Sequence, residues 1–468
     1  MKRHFLICSL ILTAAPVHGQ ATLTPAVQRF VSVNAPVVAL THVRLVDGTG
    51  SPARPDQTVI IKGTDISSVG PAASAAIPAG AQVIDLTGHT LMPGQVGLHE
   101  HTYFDGVKRV TQMSVSGPRL YLAYGVTTAM TAGSQLPYQE LNMKRAIDAG
   151  SAAGPHFEIT GPYLDGGPQR NDMARIVTTS ADTKRVVGYW AAEGATWFKF
   201  LGSETRDVLR AAIEEAHARG LRVTAHLCSV TFTEASALGI DLLQHGFITN
   251  SDYVTGKQPD VCPKENMRAQ VDVDVNSAPV QESIRSIVAH KTASVSTLGV
   301  YETFVPSHAL DPRGLDMLEA DTRREVEANH AGLEKSGFVL SEVLLKKMMQ
   351  WDRAFVAAGG LLGAGCDPWG TGFLPGIGNL RNYELLVQAG FTPEQVIQIM
   401  TLNGARILGI DARVGSIVPG KRADLMIVRG DPIATPSEIY NVVTVFRDGV
   451  GYDSEKLRQG AKGRVGVN

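Results

Sequence analysis

The chain has 468 residues, 44% of them hydrophobic and 19% charged, which is enough apolar text for a sizeable core and excludes a disordered chain. Lysine and arginine number 43 against 45 acidic residues, a formal charge of −2, so there is no general attraction to nucleic acid or an anionic membrane surface. The length suits about three ordinary domains, or one large barrel with a smaller companion.

Lys2 and Arg3 precede an apolar run over 5–15 and small residues around Gly19. That order predicts a signal peptide over 1–19 and a periplasmic or secreted mature protein. The run is too short for a membrane anchor. Cys8 leaves with it, and Cys228, Cys262 and Cys366 remain. Three thiols cannot all pair internally, so no disulfide-stapled scaffold is expected, and which pair, if any, is bonded stays open. Cys228 and Cys366 read as small packing residues.

Strand-like runs follow at 37–46, 58–62, 66–69 and 82–86, separated by Asp47-Gly48, Gly63-Thr64 and Pro78-Ala79-Gly80, which are turn chemistry. The same style returns at 415–418, 423–428 and 442–447. The two ends, 20–92 and 412–468, are therefore expected to form one small β-sandwich domain. Between them, apolar strand candidates recur at 96–101, 126–131, 156–163, 196–201, 222–227, 242–245, 294–300 and 361–367, each followed by helical text. Eight strands alternating with helices predict an α/β fold, a (β/α)8 TIM barrel over 93–411. The connection 301–360 is long and carries charged helical text at 321–334 and 341–358; such an insertion would cap a site.

His99-Glu100-His101 stands at the end of the first barrel strand. Residues two apart on a strand share a face, so both imidazoles point one way and Glu100 the other. Lys199 lies within Trp197-Phe198-Lys199-Phe200, and His226, His245 and Asp367 close later apolar strands. Each alone has a bland reading: a satisfied buried histidine, a snorkelling lysine, an N-capping aspartate. Together they fall at the carboxyl ends of strands one, four, five, six and eight, the face on which barrel enzymes build their sites. Imidazoles with a carboxylate suit zinc or a similar divalent ion.

With Pro93-Gly94, these residues and the Gly415-x-Ile417-x-x-Gly420-x-x-Ala423-Asp424-Leu425 text resemble the amidohydrolase superfamily over about 37–453. The binuclear, carboxylated-lysine type is the nearest in character, in its imidazolonepropionase-like, prolidase-type dipeptidase branch. The resemblance implies two divalent metals, with zinc the expected ion, and Lys199 carboxylated by carbon dioxide as their bridge. His99, His101 and Asp367 would hold one ion and His226 and His245 the other. Asp367 is then the general base. The implied activity is hydrolysis of an amide bond in a dipeptide or N-acyl amino acid. The alternatives are a cyclic amide or lactone hydrolase, a deaminase, or a non-catalytic binding protein. The implied partner is a small-molecule substrate, and a homo-oligomer is open.

Two departures stand out. Gly97 occupies the place where the family usually has an aspartate, and the text 159–163 with the loop carrying Arg170 differs from relatives. Tyr103, Tyr163, Arg170, Tyr301 and His308 are candidate substrate contacts, able to bind a carboxylate or a developing oxyanion.

Overall fold

The computed structural model describes residues 22–106, 110–167, 174–335 and 340–467. The expected signal peptide and Arg170 lie outside these residues.

Strands from both ends of the chain hydrogen-bond into one nine-stranded sheet. Its order runs Val31–Val33, Val450–Asp453, Val442–Arg447, Leu425–Arg429, His89–Pro93, Val37–Leu45, Arg54–Lys62 and Asp65–Pro71, with Gln82–Asp85 also pairing Val37–Leu45. The join between the ends is antiparallel, Ile427 opposite Leu91. Val38, Leu40, Leu91, Leu425 and Phe446 share one buried cluster, so neither end can bury its apolar face without the other. The expected strand at 415–418 is absent: Ile417 N donates to Asp47 O at 2.9 Å, but Gly415 turns in the left-handed region (φ 87°) and no ladder continues.

The middle of the chain is α/β, and every pairing among its central strands is parallel. A three-stranded sheet holds Gln95–Glu100, Val126–Thr131 and His156–Glu158. A seven-stranded sheet runs through Arg175–Ile176, Thr160–Asp165, Trp197–Phe200, Arg222–Ala225, Leu242–Gln244, Ala293–Ser296 and Leu362–Ala364. Two seams join the sheets. Thr160 N donates to Thr131 Oγ1 at 2.9 Å on one side, and Asp367 N donates to His99 O at 2.7 Å on the other. Strands covered on both faces read as continuous apolar runs, and Trp197–Phe200 is buried at every position.

Helices pack outside by amphipathic spacing. In Arg206–Ala218, Val208, Leu209, Ala212, Ile213 and Ala216 are buried, and Thr205 caps the first turn by accepting from Val208 N, which satisfies an otherwise orphaned amide. The run expected as one strand over 156–163 is divided at Ile159. Met130 pairs with Glu158 in one sheet and Thr160 pairs with Trp197 in the other, so the two halves serve different neighbours. The strand expected over 294–300 stops at Ser296, and Leu298–Glu302 is helical. Gly299 allows this because a side chain there would lie 2.3 Å from the Phe373 ring.

Candidate metal centre

The six expected ligands come from five strand ends, and three turns there use backbone that L-residues rarely adopt. Leu227, His245 and Asp367 have φ of 60°, 68° and 52°, a conformation that costs about 1–3 kcal/mol per residue and collects at functional sites. These turns swing the side chains of His245 and Asp367 over the open ends of their strands.

His99, His101 and Asp367 offer ligand atoms that all lie within 4.8 Å of one another. Asp367 Oδ1 is 3.1 Å from His101 Nε2 and 3.4 Å from His99 Nε2. Its other oxygen is 3.7 Å from His245 Nδ1. The His99 and His245 rings lie 4.6 Å apart and the His245 and His226 rings 4.8 Å apart, centroid to centroid. One continuous patch of imidazole therefore meets one carboxylate.

Burial holds the His99 and His245 imidazoles well below the ordinary histidine pKa, with nearby Lys199 adding to the effect at His99. Neutral rings are the form that binds metal. His99 Nδ1 lies 2.7 Å from Gln244 Oε1. A carboxamide oxygen only accepts, so Nδ1 carries the proton and Nε2 presents its lone pair toward Asp367. Gln244 is itself oriented, donating from Nε2 to Thr224 Oγ1 at 2.8 Å. Thr297 Oγ1 sits 2.8 Å from His245 Nδ1. Tyr121 braces the His101 backbone, accepting from its N–H at 3.0 Å and donating to its carbonyl at 2.9 Å.

Lys199 is 1% exposed, and its Nζ has no hydrogen-bond partner among the described residues. Burial pulls its pKa down to about 7, against the opposing pull of Asp367 and Glu204. A buried amine without a partner is costly unless another group completes it.

Glu100 does face away from the two histidines. It is fully buried, and its Oε1 accepts from Asn379 Nδ2 at 2.7 Å and from Cys366 N at 3.2 Å. Burial raises its pKa to about 8. At the Gly97 departure, a Cβ would lie 2.1 Å from Glu100 Oε1. The Glu100 carboxyl fills the space that a side chain at 97 would need.

Tyr103, Tyr163 and Tyr301 reach the cluster. Tyr103 stacks on His101 at 4.8 Å, the Tyr103 and Tyr163 hydroxyls meet at 2.6 Å, and the Tyr163 hydroxyl is 3.4 Å from His101 Nε2. Tyr301 sets its ring edge-on to His245 at 5.4 Å. Burial raises all three phenols well above their usual range, so they act as neutral hydroxyls. His308 lies elsewhere, its Nδ1 2.7 Å from Glu302 Oε1. Glu302 is also held by Arg381 through both oxygens at 2.7 Å.

Cys228 requires a correction. It is not a simple packing residue but is disulfide-bonded to Cys262, 34 positions on. The bond ties the turn after His226 to the segment beyond His245. Cys366 is free and buried, and burial pushes its thiol well above the usual range.

Residues 373–451 match the sequence profile of the amidohydrolase family. An imidazolonepropionase of Arthrobacter sp. (strain FB24) is 32% identical over 136 residues, 28% of this chain and 34% of that protein. Adenine deaminase 4 of Rhizobium meliloti (strain 1021) is 48% identical over 52 residues, 11% of this chain and 9% of that protein. The matched regions thus span about a third or less of these curated relatives. Among solved structures, a putative prolidase from Bifidobacterium longum has a TM-score of 0.65 at 23% identity, over 91% of this chain and 98% of that one. A Xaa-Pro dipeptidase with bound methionine has a TM-score of 0.65 at 19% identity, over 89% of this chain and 100% of that one. The fold is shared along nearly the whole chain.

Proposed function

We propose that this chain, an amidohydrolase-family protein by its residues 373–451, is a metal-dependent hydrolase that cleaves a carbon–nitrogen bond, with a dipeptide or N-acyl amino acid amide as the substrate class. The observation that carries the proposal is the buried Lys199 Nζ, without a hydrogen-bond partner among the described residues, beside neutral imidazoles and Asp367. The donor set fits a pair of divalent ions. His99, His101 and Asp367 would hold one and His226 and His245 the other. Lys199 would reach both as a carbamate, its neutral amine adding carbon dioxide with loss of one proton. Bound there, such ions would supply Lewis acidity to a carbonyl oxygen and to a water.

The chain's own residues supply the remaining work. Asp367 projects two oxygens over the cluster and is the group placed to accept the proton of the attacking water and pass it to the leaving nitrogen. The Tyr163 hydroxyl, 3.4 Å from His101 Nε2, is a neutral donor aimed where negative charge would develop on the carbonyl oxygen. Tyr103 orients it through the 2.6 Å hydroxyl contact.

The two linked parallel sheets support a closed (β/α)8 barrel with the site at its carboxyl face. The Cys228–Cys262 disulfide supports export to an oxidising compartment. A second reading, hydrolysis of a cyclic amide or deamination, is favoured by the names of the relatives, an imidazolonepropionase and an adenine deaminase. That all six candidate ligands are intact weighs against a non-catalytic binding protein.

Zinc-loaded protein screened against dipeptides, N-acyl amino acids, cyclic amides and aminopurines, with products read by mass spectrometry, tests the reading. Cleavage of acyclic amides is expected. Asp367→Asn should lower turnover by about 10²-fold or more. Turnover at the wild-type rate in that variant would remove Asp367 from the chemistry, and release of ammonia from purines alone would establish the second reading.

A further inference from the structure

A cavity of about 490 Å³ is lined by segments that follow the strand ends of the candidate metal centre. Three of its walls are segments that leave the centre directly. Asp105 follows His101 by four residues, while Thr303 and Trp369 follow Tyr301 and Asp367 by two. The far wall comes from the long connection, through Val326 on helix Ala320–Ala331 and Leu333 just beyond it. Any substrate whose reacting bond sits at Asp367 must extend somewhere from it, and these walls leave the same strand ends.

The lining states what it would accept. Phe304, Val326, Leu333 and Trp369 are apolar, and Trp369 is 39% exposed. Among the described residues of the lining, the ionisable ones are Asp105 and His330. The volume lies within the range of small-molecule sites, far more than a glycyl or alanyl group would fill. A void against apolar walls forfeits dispersion contacts that a phenyl or branched alkyl group restores.

The cavity is also preformed. A side chain at 370 would lie 1.7 Å from Asp105 O, so the Trp369 loop is packed hard onto the loop of the first strand. Trp369 N donates to Phe373 O at 3.2 Å, which closes that loop on itself. Fixed walls select ligands by shape at little ordering cost.

We propose that this cavity is the specificity pocket for an apolar, phenyl-sized or larger group of the substrate, set by Trp369, Phe304 and the helix Ala320–Ala331. The proposal rests on the hydrolase reading for its substrate but not for its ligand. Ala328, on the exposed side of that helix, lines the cavity, and Ala328→Phe fills it. The test compares wild type, Ala328→Phe and Trp369→Ala as full-length zinc-loaded proteins with metal content measured. One assay is kcat/KM on N-acetylglycine, N-acetylphenylalanine and N-benzoylglycine. The other is calorimetric binding of N-acetylphenylalaninamide. Wild type should favour a phenyl-bearing compound over N-acetylglycine by about 10- to 100-fold. Both variants should lower that ratio at least about tenfold with metal content retained. A wild type without the preference, or variants that keep it, overturns the proposal. If no amide is cleaved, binding at least tenfold weaker in Ala328→Phe upholds the pocket while the hydrolase reading falls. Equal binding to wild type and Ala328→Phe in that case refutes the pocket.

Discussion

Gln244 decides which nitrogen of His99 is available to a metal. Its Oε1 accepts the Nδ1 proton at 2.7 Å, and Thr224 in turn fixes the amide. Gln244→Leu removes the acceptor while keeping a side chain of similar bulk, so His99 loses its enforced tautomer. Zinc affinity, measured against a competing chelator, should fall about 10- to 100-fold; unchanged affinity would mean that the contact does not orient the ligand. A second buried group shapes the pH response. Asp352 is 2% exposed and accepts from Ser296 Oγ at 2.7 Å, and burial raises its pKa to about 7. Between its ordinary value and about 7, the folded state holds a proton that the unfolded chain has released. Its contribution to stability is therefore lost as pH rises through that window. Asp352→Asn has no proton to release, and its Tm should fall less than that of wild type between pH 5 and 8. Parallel Tm curves for the two proteins would refute this. That His99, His101, His245 and Asp367 stand out was legible, because polar side chains closing apolar strands are costly without a purpose, and the structure brings these four together. Gln244 and Asn379 were not, because their contacts to His99 and Glu100 span 145 and 279 positions. The close approach of Glu100 to Gly97 likewise exists only once Glu100 has folded back over it.

At the scale of elements, the strand positions were readable and their ends were not. The run 442–447 coincides with the observed strand Val442–Arg447, as does 126–131 with Val126–Thr131. In contrast, the stretch 294–300 is β-branched enough to suggest one long strand, yet His245 engages Thr297 and the backbone turns into a helix there. Periodicity cannot register such a tertiary demand. The division at Ile159 is of the same kind, since two sheets compete for one run. The loop after His226 leaves the site directly, and its fastening was not readable from three cysteines. Closing a loop of 34 residues removes unfolded-state freedom worth about 4 kcal/mol. Cys262→Ser should lower Tm by several degrees, and reductant should lower the Tm of wild type but not of the variant. Equal Tm values for wild type and variant under oxidising conditions would show that the bond carries no stability.

Across the whole molecule, the two chain ends meet in one sheet while the parallel strands between them bring residues from 99 to 367 to a single point. Alternating strand and helix text was sufficient to predict that convergence, because parallel pairing places successive strand ends on the same side. Side-chain reach between the strand ends was not, and neither was the cavity walled by the long connection. The convergence makes one demand on composition: five ligands from the chain and a buried lysine should hold two ions, not one. Metal analysis of purified wild-type protein and of Lys199→Ala, by inductively coupled plasma mass spectrometry after equilibration with zinc and bicarbonate, tests this directly. About two ions per wild-type chain, with clear loss in the lysine variant, is the result predicted; a single ion per chain in both proteins would contradict the two-metal account.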